Sequence, residues 1–163
     1  MALSRFDNEI RVTPSILDRL IDFDPRSSQE SPKSRSTSLA ELKQAVRRDL
    51  EWLLNSRKSV IDIPETLVET TRSVATYGLP DIIGLDIDNP NEQSGLIKAI
   101  EDALSVFDPR FTNPKITLEP VGTIERVLKF RIEATLDIEP TPEPVVFDTV
   151  LKMGSTDFTV TGE

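Results

Sequence analysis

The apolar positions of this chain change period part-way along it, from helical spacing over the first two thirds to strict alternation after about residue 115. Thr13-Pro14-Ser15-Ile16-Leu17-Asp18-Arg19-Leu20-Ile21 reads as a helix of two turns, with Thr13 as cap and Pro14 at the first helical position. Ile16, Leu17, Leu20 and Ile21 form one apolar strip, too short to hold a helix alone. Asp24 to Ser38 then carries six serines, two prolines and no apolar residue, the composition of a linker. A short apolar helix behind such a linker either docks elsewhere or packs back onto its own domain. The expected organisation is an arm over residues 1–23, a linker over 24–38 and an α+β domain over 39–163.

Ser38-Leu39-Ala40-Glu41 has the form of a capping box and predicts a helix start. Leu39, Leu42, Val46, Leu50 and Leu53 fall in a stripe roughly 80° wide, the expected core face. Trp52 lies outside it, beside Ala45, Arg48 and Asp49, so it is either an exposed anchor for a partner or covered by another part of the chain. A second helix is expected from about Glu65 to Tyr77, with Leu67, Val68, Thr71, Val74 and Ala75 inward, stopped by Gly78-Leu79-Pro80-Asp81. Residues 82–91 read as a loop. Leu96, Ile97, Ile100, Ala103, Leu104 and Phe107 give the strongest helical pattern, from about Asn91 to Phe107, ending before Pro109.

Two-residue alternation follows. Lys115 to Val121 and Ile124 to Ile138 read as strands, the second with Leu128, Phe130, Ile132, Ala134, Leu136 and Ile138 on one face. Glu139 to Pro144 is a stiff connector, and Val145 to Leu151 and Asp157 to Thr161 are further strands around Gly154-Ser155. Helices first and an antiparallel sheet afterwards make the class α+β.

Composition narrows the chemistry. The 163 residues include neither histidine nor cysteine, which excludes His-dependent nucleophiles, Cys- or His-ligated zinc and disulfides. The net charge of −9 is uneven: residues 1–58 carry 11 basic and 9 acidic groups (+2), residues 59–163 carry 8 and 19 (−11). An acidic body is a poor ligand for a phosphate backbone, so nucleic acid is not expected as a partner. No apolar run reaches the ~18 residues of a membrane span. The first ten residues include Arg5, Asp7 and Glu9, unlike a secretory signal, and a cytoplasmic protein without membrane insertion is expected.

Six scattered glycines assemble no phosphate-binding loop. Carboxylate pairs such as Glu101 and Asp102, Asp86 and Asp88, or Glu139 and Glu143 are abundant, as 28 acidic residues guarantee by chance, so glycosidase chemistry draws no support from them. Asp86-x-Asp88 opens like a calcium loop, but Ile97 stands where the bidentate glutamate belongs. The informative cluster is Phe107-Asp108-Pro109-Arg110-Phe111. There a rigid proline fixes a carboxylate against a guanidinium, either as a polar contact for a partner or as a helix-stop turn that pairs internally.

Taken together, Ser15 to Pro25, Val46 to Arg57, Ser73 to Asp81, Phe107 to Phe111 and Phe130 to Leu151, with its Glu143-Pro144-Val145-Val146-Phe147-Asp148, resemble the TssE family. These are small baseplate subunits of bacterial type VI secretion systems, related to phage-tail wedge proteins once labelled lysozyme-like. One departure is visible: the family's Glu-Pro-Arg stands here as Asp108-Pro109-Arg110, a methylene shorter. The resemblance implies a structural, non-enzymatic subunit without cofactor or metal. It implies wedge partners TssF and TssG, with TssK a further candidate, and a connection to the TssB/TssC sheath, all in a membrane-docked assembly on the cytoplasmic side. It also implies partner contacts or supports at Leu17, Leu20, Trp52, Arg57, Tyr77, Gly78, Pro80, Asp81, Asp108, Pro109, Arg110 and Phe147. A peptidoglycan-cleaving enzyme and a generic acidic adaptor are the alternatives at this point.

Overall fold

The structure, a computed structural model, describes residues 14–21, 26, 35–61, 63, 64, 66–86, 89–119, 127–139, 141–152 and 156–162. Thr13, most of the expected linker, Val121 to Arg126 and Gly154-Ser155 lie outside the described residues. Four helices, α1 (Ile16–Leu20), α2 (Arg35–Asn55), α3 (Val68–Thr71) and α4 (Pro90–Phe107), accompany four strands, β1 (Phe111–Glu119), β2 (Val127–Leu136), β3 (Glu143–Lys152) and β4 (Asp157–Gly162). The strands form an antiparallel meander in the order β1-β2-β3-β4, and the fold is α+β. On the sheet, α4 packs against β1 and α2 against β4.

Alternation decides which side of the sheet is buried. Leu128, Phe130, Ile132, Ala134 and Leu136 of β2, and Val145, Phe147 and Leu151 of β3, point into one core with Val46, Leu50, Leu54, Ile100 and Leu104 of the helices. Thr149, on the same face of β3 opposite Phe130 and Val160, is buried with no partner for its hydroxyl among the described residues. Thr149→Val is therefore expected to stabilise the fold by about 1 kcal/mol, because it removes a desolvated hydroxyl while keeping the branched shape. Urea denaturation checks this; a loss of stability would mean that the hydroxyl is bonded after all.

Several boundaries differ from those expected. Ser15, not Thr13, caps α1, its hydroxyl accepting from the Asp18 N–H. α2 begins at Arg35, so residues 35–38, expected to close the linker, are its first turn, and Ser38 is buried inside the helix. Its core stripe is also wider, taking in Ala45 and Leu54. β1 begins at Phe111, four residues early, with an irregularity between Thr112 and Lys115 at Asn113 (φ 51°). Pro144 belongs to β3, beyond Phe147, the residue that pairs with Gly162 near the end of β4, so no β4 carbonyl needs its missing N–H.

The helix expected over residues 65–77 is replaced by α3 and a 3₁₀ turn at Val74–Thr76. Leu67, Val68 and Val74 are exposed, so no core contact rewards a continuous helix. Hydroxyls compete for the backbone instead: Thr71 donates to the Val68 carbonyl, Ser73 to that of Thr70, and Thr76 to those of Thr71 and Ser73. This excursion is closed at its neck by bonds from Lys58 N to Leu79 O (2.9 Å) and from Leu79 N to Ser56 O (2.8 Å).

Candidate functional site

The end of α4 builds the site. Asp108 caps the helix, its N–H donating to the Leu104 carbonyl, and Pro109 turns the chain so that Arg110 folds back. Arg110 Nε and Nη2 each donate at 2.8 Å to Asp108, one to either carboxylate oxygen, a bidentate pair set by the two-residue spacing. Nη2 also reaches Asp49 of α2 at 3.0 Å. Asp108 is only 6% exposed. Hydrogen bonding to Asp108 raises the Arg110 guanidinium further above its ordinary value, against the burial that opposes it. The internal pairing of the turn and its place at a surface thus coexist.

On α2, Asp49 receives Arg48 Nε (3.1 Å) and Nη2 (2.8 Å), while Arg48 Nη1 donates to Asp18 of α1 at 2.8 Å. The Arg48 guanidinium lies 5.1 Å over the Trp52 ring, which is 54% exposed. The result is one alternating chain, Asp18–Arg48–Asp49–Arg110–Asp108, running from α1 to the turn. It holds α1 by its polar side, leaving Ile16 and Leu20 outward, each 77% exposed, with Leu17 and Ile21 also exposed.

Burial opposes the Asp18 charge, yet hydrogen bonds from Ser15 and Arg48 outweigh it and hold this carboxyl below its ordinary value. A group depressed in the folded state contributes stability above its unfolded value and loses it as pH falls through the lower folded value. α1 is accordingly expected to stay seated at neutral pH and to loosen below about pH 4. Amide exchange at Arg19 and Ile21, which donate to the Ser15 and Leu17 carbonyls, reads this directly. Equal protection on both sides of that pH, after correction for intrinsic rates, would contradict it.

Beside the ion pairs opens a cleft of about 230 Å³ lined by Asp49, Trp52, Leu53, Tyr77, Phe107, Asp108 and Arg110. Tyr77 meets Phe107 edge-on at 5.2 Å. Burial and the Asp49 and Asp108 charges push the Tyr77 hydroxyl above its ordinary range.

Of the residues expected from sequence, Trp52, Tyr77, Asp108 and Arg110 thus meet at one cleft. Leu17 and Leu20 sit at the outer end of the ion-pair chain, and Pro109 is exposed on the turn. Others have local structural work. Arg57 donates to the Leu54 carbonyl (3.1 Å) and the Thr156 carbonyl (2.7 Å), tying the end of α2 to the β3–β4 turn. Gly78 approaches the Ser56 backbone, the partly buried Pro80 follows it, and Asp81 accepts from the Ile83 N–H. Phe147 is wholly buried, edge-on to Phe111 at 6.1 Å, which makes it a core residue rather than a surface contact. Asp18 and Asp49, central to the network, carry no sequence signal that joins them to it, since Arg48 lies 30 residues from Asp18 and Arg110 lies 61 from Asp49.

β3 is internal, and β4 is an edge whose Phe158 N–H and C=O are both bonded by the Asn55 side chain, at 2.8 and 2.9 Å. Among the described residues, no helix is long and apolar enough to cross a membrane.

Comparison with known families finds a match to the model of the baseplate wedge protein gp25 family over residues 40–141, a stretch holding α2 from residue 40 onward, α3, α4, β1, β2 and every lining residue of the cleft. No curated protein matches the chain.

Proposed function

The chain belongs to the baseplate wedge protein gp25 family, and on that premise we propose that it is a non-enzymatic structural subunit of a type VI secretion baseplate. It joins the wedge proteins TssF and TssG, with TssK a further candidate partner, and links the baseplate to the TssB/TssC sheath. Its place in this reading is the membrane-docked assembly on the cytoplasmic side.

The observation that carries the proposal is the convergence of the Asp108-Pro109-Arg110 turn, Trp52 and Tyr77 on one cleft, connected through Arg48 to an arm whose apolar side faces outward. A rigid polar centre flanked by exposed aromatic and aliphatic anchors is the composition of an interface rather than of a free surface. For the sheath connection the support is the family resemblance; β1 and β4 are the sheet's two edges, β4 already being bonded at Phe158.

The test is co-purification with TssF and TssG. Trp52→Ala and Leu17→Asp/Leu20→Asp alter exposed side chains, so both variants are expected to keep the wild-type melting temperature. Each is expected to lower wedge capture at least about tenfold, the loss of a strong anchor. Wild-type capture by both variants would overturn the reading.

A further inference from the structure

The cleft has a charge balance that the wedge reading does not explain by itself. Its lining contains two carboxylates, Asp49 and Asp108, and one cation, Arg110. Arg48 and Asp18, which extend the network behind it, leave the total at three carboxylates against two guanidinium groups, a net charge of −1. The alternating chain ends on a carboxylate at both ends, and the Asp108 end faces the cleft. Asp108 Oδ2 and Asp49 Oδ2 each accept one bond from Arg110, and each oxygen has a second lone pair. The other walls are Leu53 and the aromatic residues Trp52, Tyr77 and Phe107, and ring faces attract a cation within about 6 Å.

We propose that this cleft receives one basic side chain, an arginine, from a partner wedge protein; the inference rests on the wedge-subunit reading. An arginine supplies the missing positive member of the chain. Its planar fork matches the two carboxylate oxygens while its face stacks on the aromatic walls, which an ammonium group does less well. The size agrees: about 230 Å³ lies below the ~300–1,000 Å³ of small-molecule sites and suits a single long side chain.

Trp52 is the only tryptophan, so its fluorescence reports on the cleft. The full chain is titrated with the capped peptide acetyl-Gly-Arg-Gly-amide and with its citrulline counterpart, which keeps the shape and removes the charge. A saturable response to the arginine peptide is expected, weaker by about tenfold for citrulline, the size of a desolvated cation–π contact with a carboxylate beside it. Tyr77→Leu and Asp49→Asn, each checked for an unchanged far-ultraviolet circular dichroism spectrum, are expected to reduce it by a similar factor. Equal responses to the two peptides, or no saturable response to either, overturn the proposal. Co-purification with TssF and TssG in parallel separates the two readings. Capture of both partners without arginine preference removes the arginine site and leaves the wedge subunit standing; arginine preference without capture does the reverse.

Discussion

Replacing Phe147 by alanine is expected to destabilise the isolated protein by about 4 kcal/mol. The side chain is fully buried at the middle of β3, opposite Ile132 of β2 and edge-on to Phe111, next to the turn that carries Arg110. Its removal loses the transfer free energy of a whole ring and leaves a cavity between two central strands that cannot close without bending the sheet. A phenylalanine that served only as a partner contact would leave stability unchanged when truncated, so the experiment separates the two roles. Urea denaturation supplies the free energy, and Phe147→Leu should recover more than half of it. A change under about 1 kcal/mol would show that the ring is not part of the core.

Gly78→Ala is expected to cost at least about 3 kcal/mol and to disable partner binding as well. Gly78 has φ +101°, a conformation that L-residues rarely take. A Cβ there would stand 2.4 Å from the Ser56 carbonyl oxygen and 2.6 Å from its carbon, both backbone atoms with no free rotation. Relief requires the two strands of the neck to part, which breaks the Leu79–Ser56 bond and displaces Tyr77, the next residue, from the cleft. Thermal melting measures the first effect and capture of wedge proteins the second. Faster amide exchange at Lys58 and Leu79 in the variant would locate the damage, and wild-type exchange there would refute this account.

Much of the fold was legible where local signals and tertiary packing agree. The apolar spacing of α4, the stop at Asp108-Pro109 and the alternation of β2 each depend on contacts that their own periodicity predicts. The stretch around α3 reads as one helix in sequence because Leu67, Val68 and Val74 have helical spacing, yet these side chains are exposed and no core contact extends the helix. The start of α2 was misplaced because a capping-box pattern at Ser38 sets no boundary when Arg35 to Thr37 also adopt helical dihedrals. In the site, the spacing of Asp108 and Arg110 is compatible with either an internal pair or a partner contact, and the structure shows the internal pair. The Asp18–Arg48 and Asp49–Arg110 links have no such local signal, since only the packing of α1, α2 and the turn brings these partners together. Arg57, Gly78 and Asp81 stand near the cleft in sequence, yet Arg57 is bonded to the β3–β4 turn, Gly78 packs on the neck and Asp81 accepts from the nearby Ile83 N–H.

The bonds between Asn55 and Phe158 join positions 103 apart. The carboxyl end of α2 is therefore held by a segment synthesised 103 residues after it. Until β4 has been synthesised and has joined β3, the Asn55 amide has no strand to bond, and the buried faces of Leu50 and Leu54 lack the Phe158 and Val160 side of their enclosure. Native contacts of such long range delay closure of the core, so the newborn chain passes through a stage with apolar helix surface uncovered. The pairing of β4 with β3 is thus the event that covers the apolar face of α2 and separates a sticky nascent chain from a closed one.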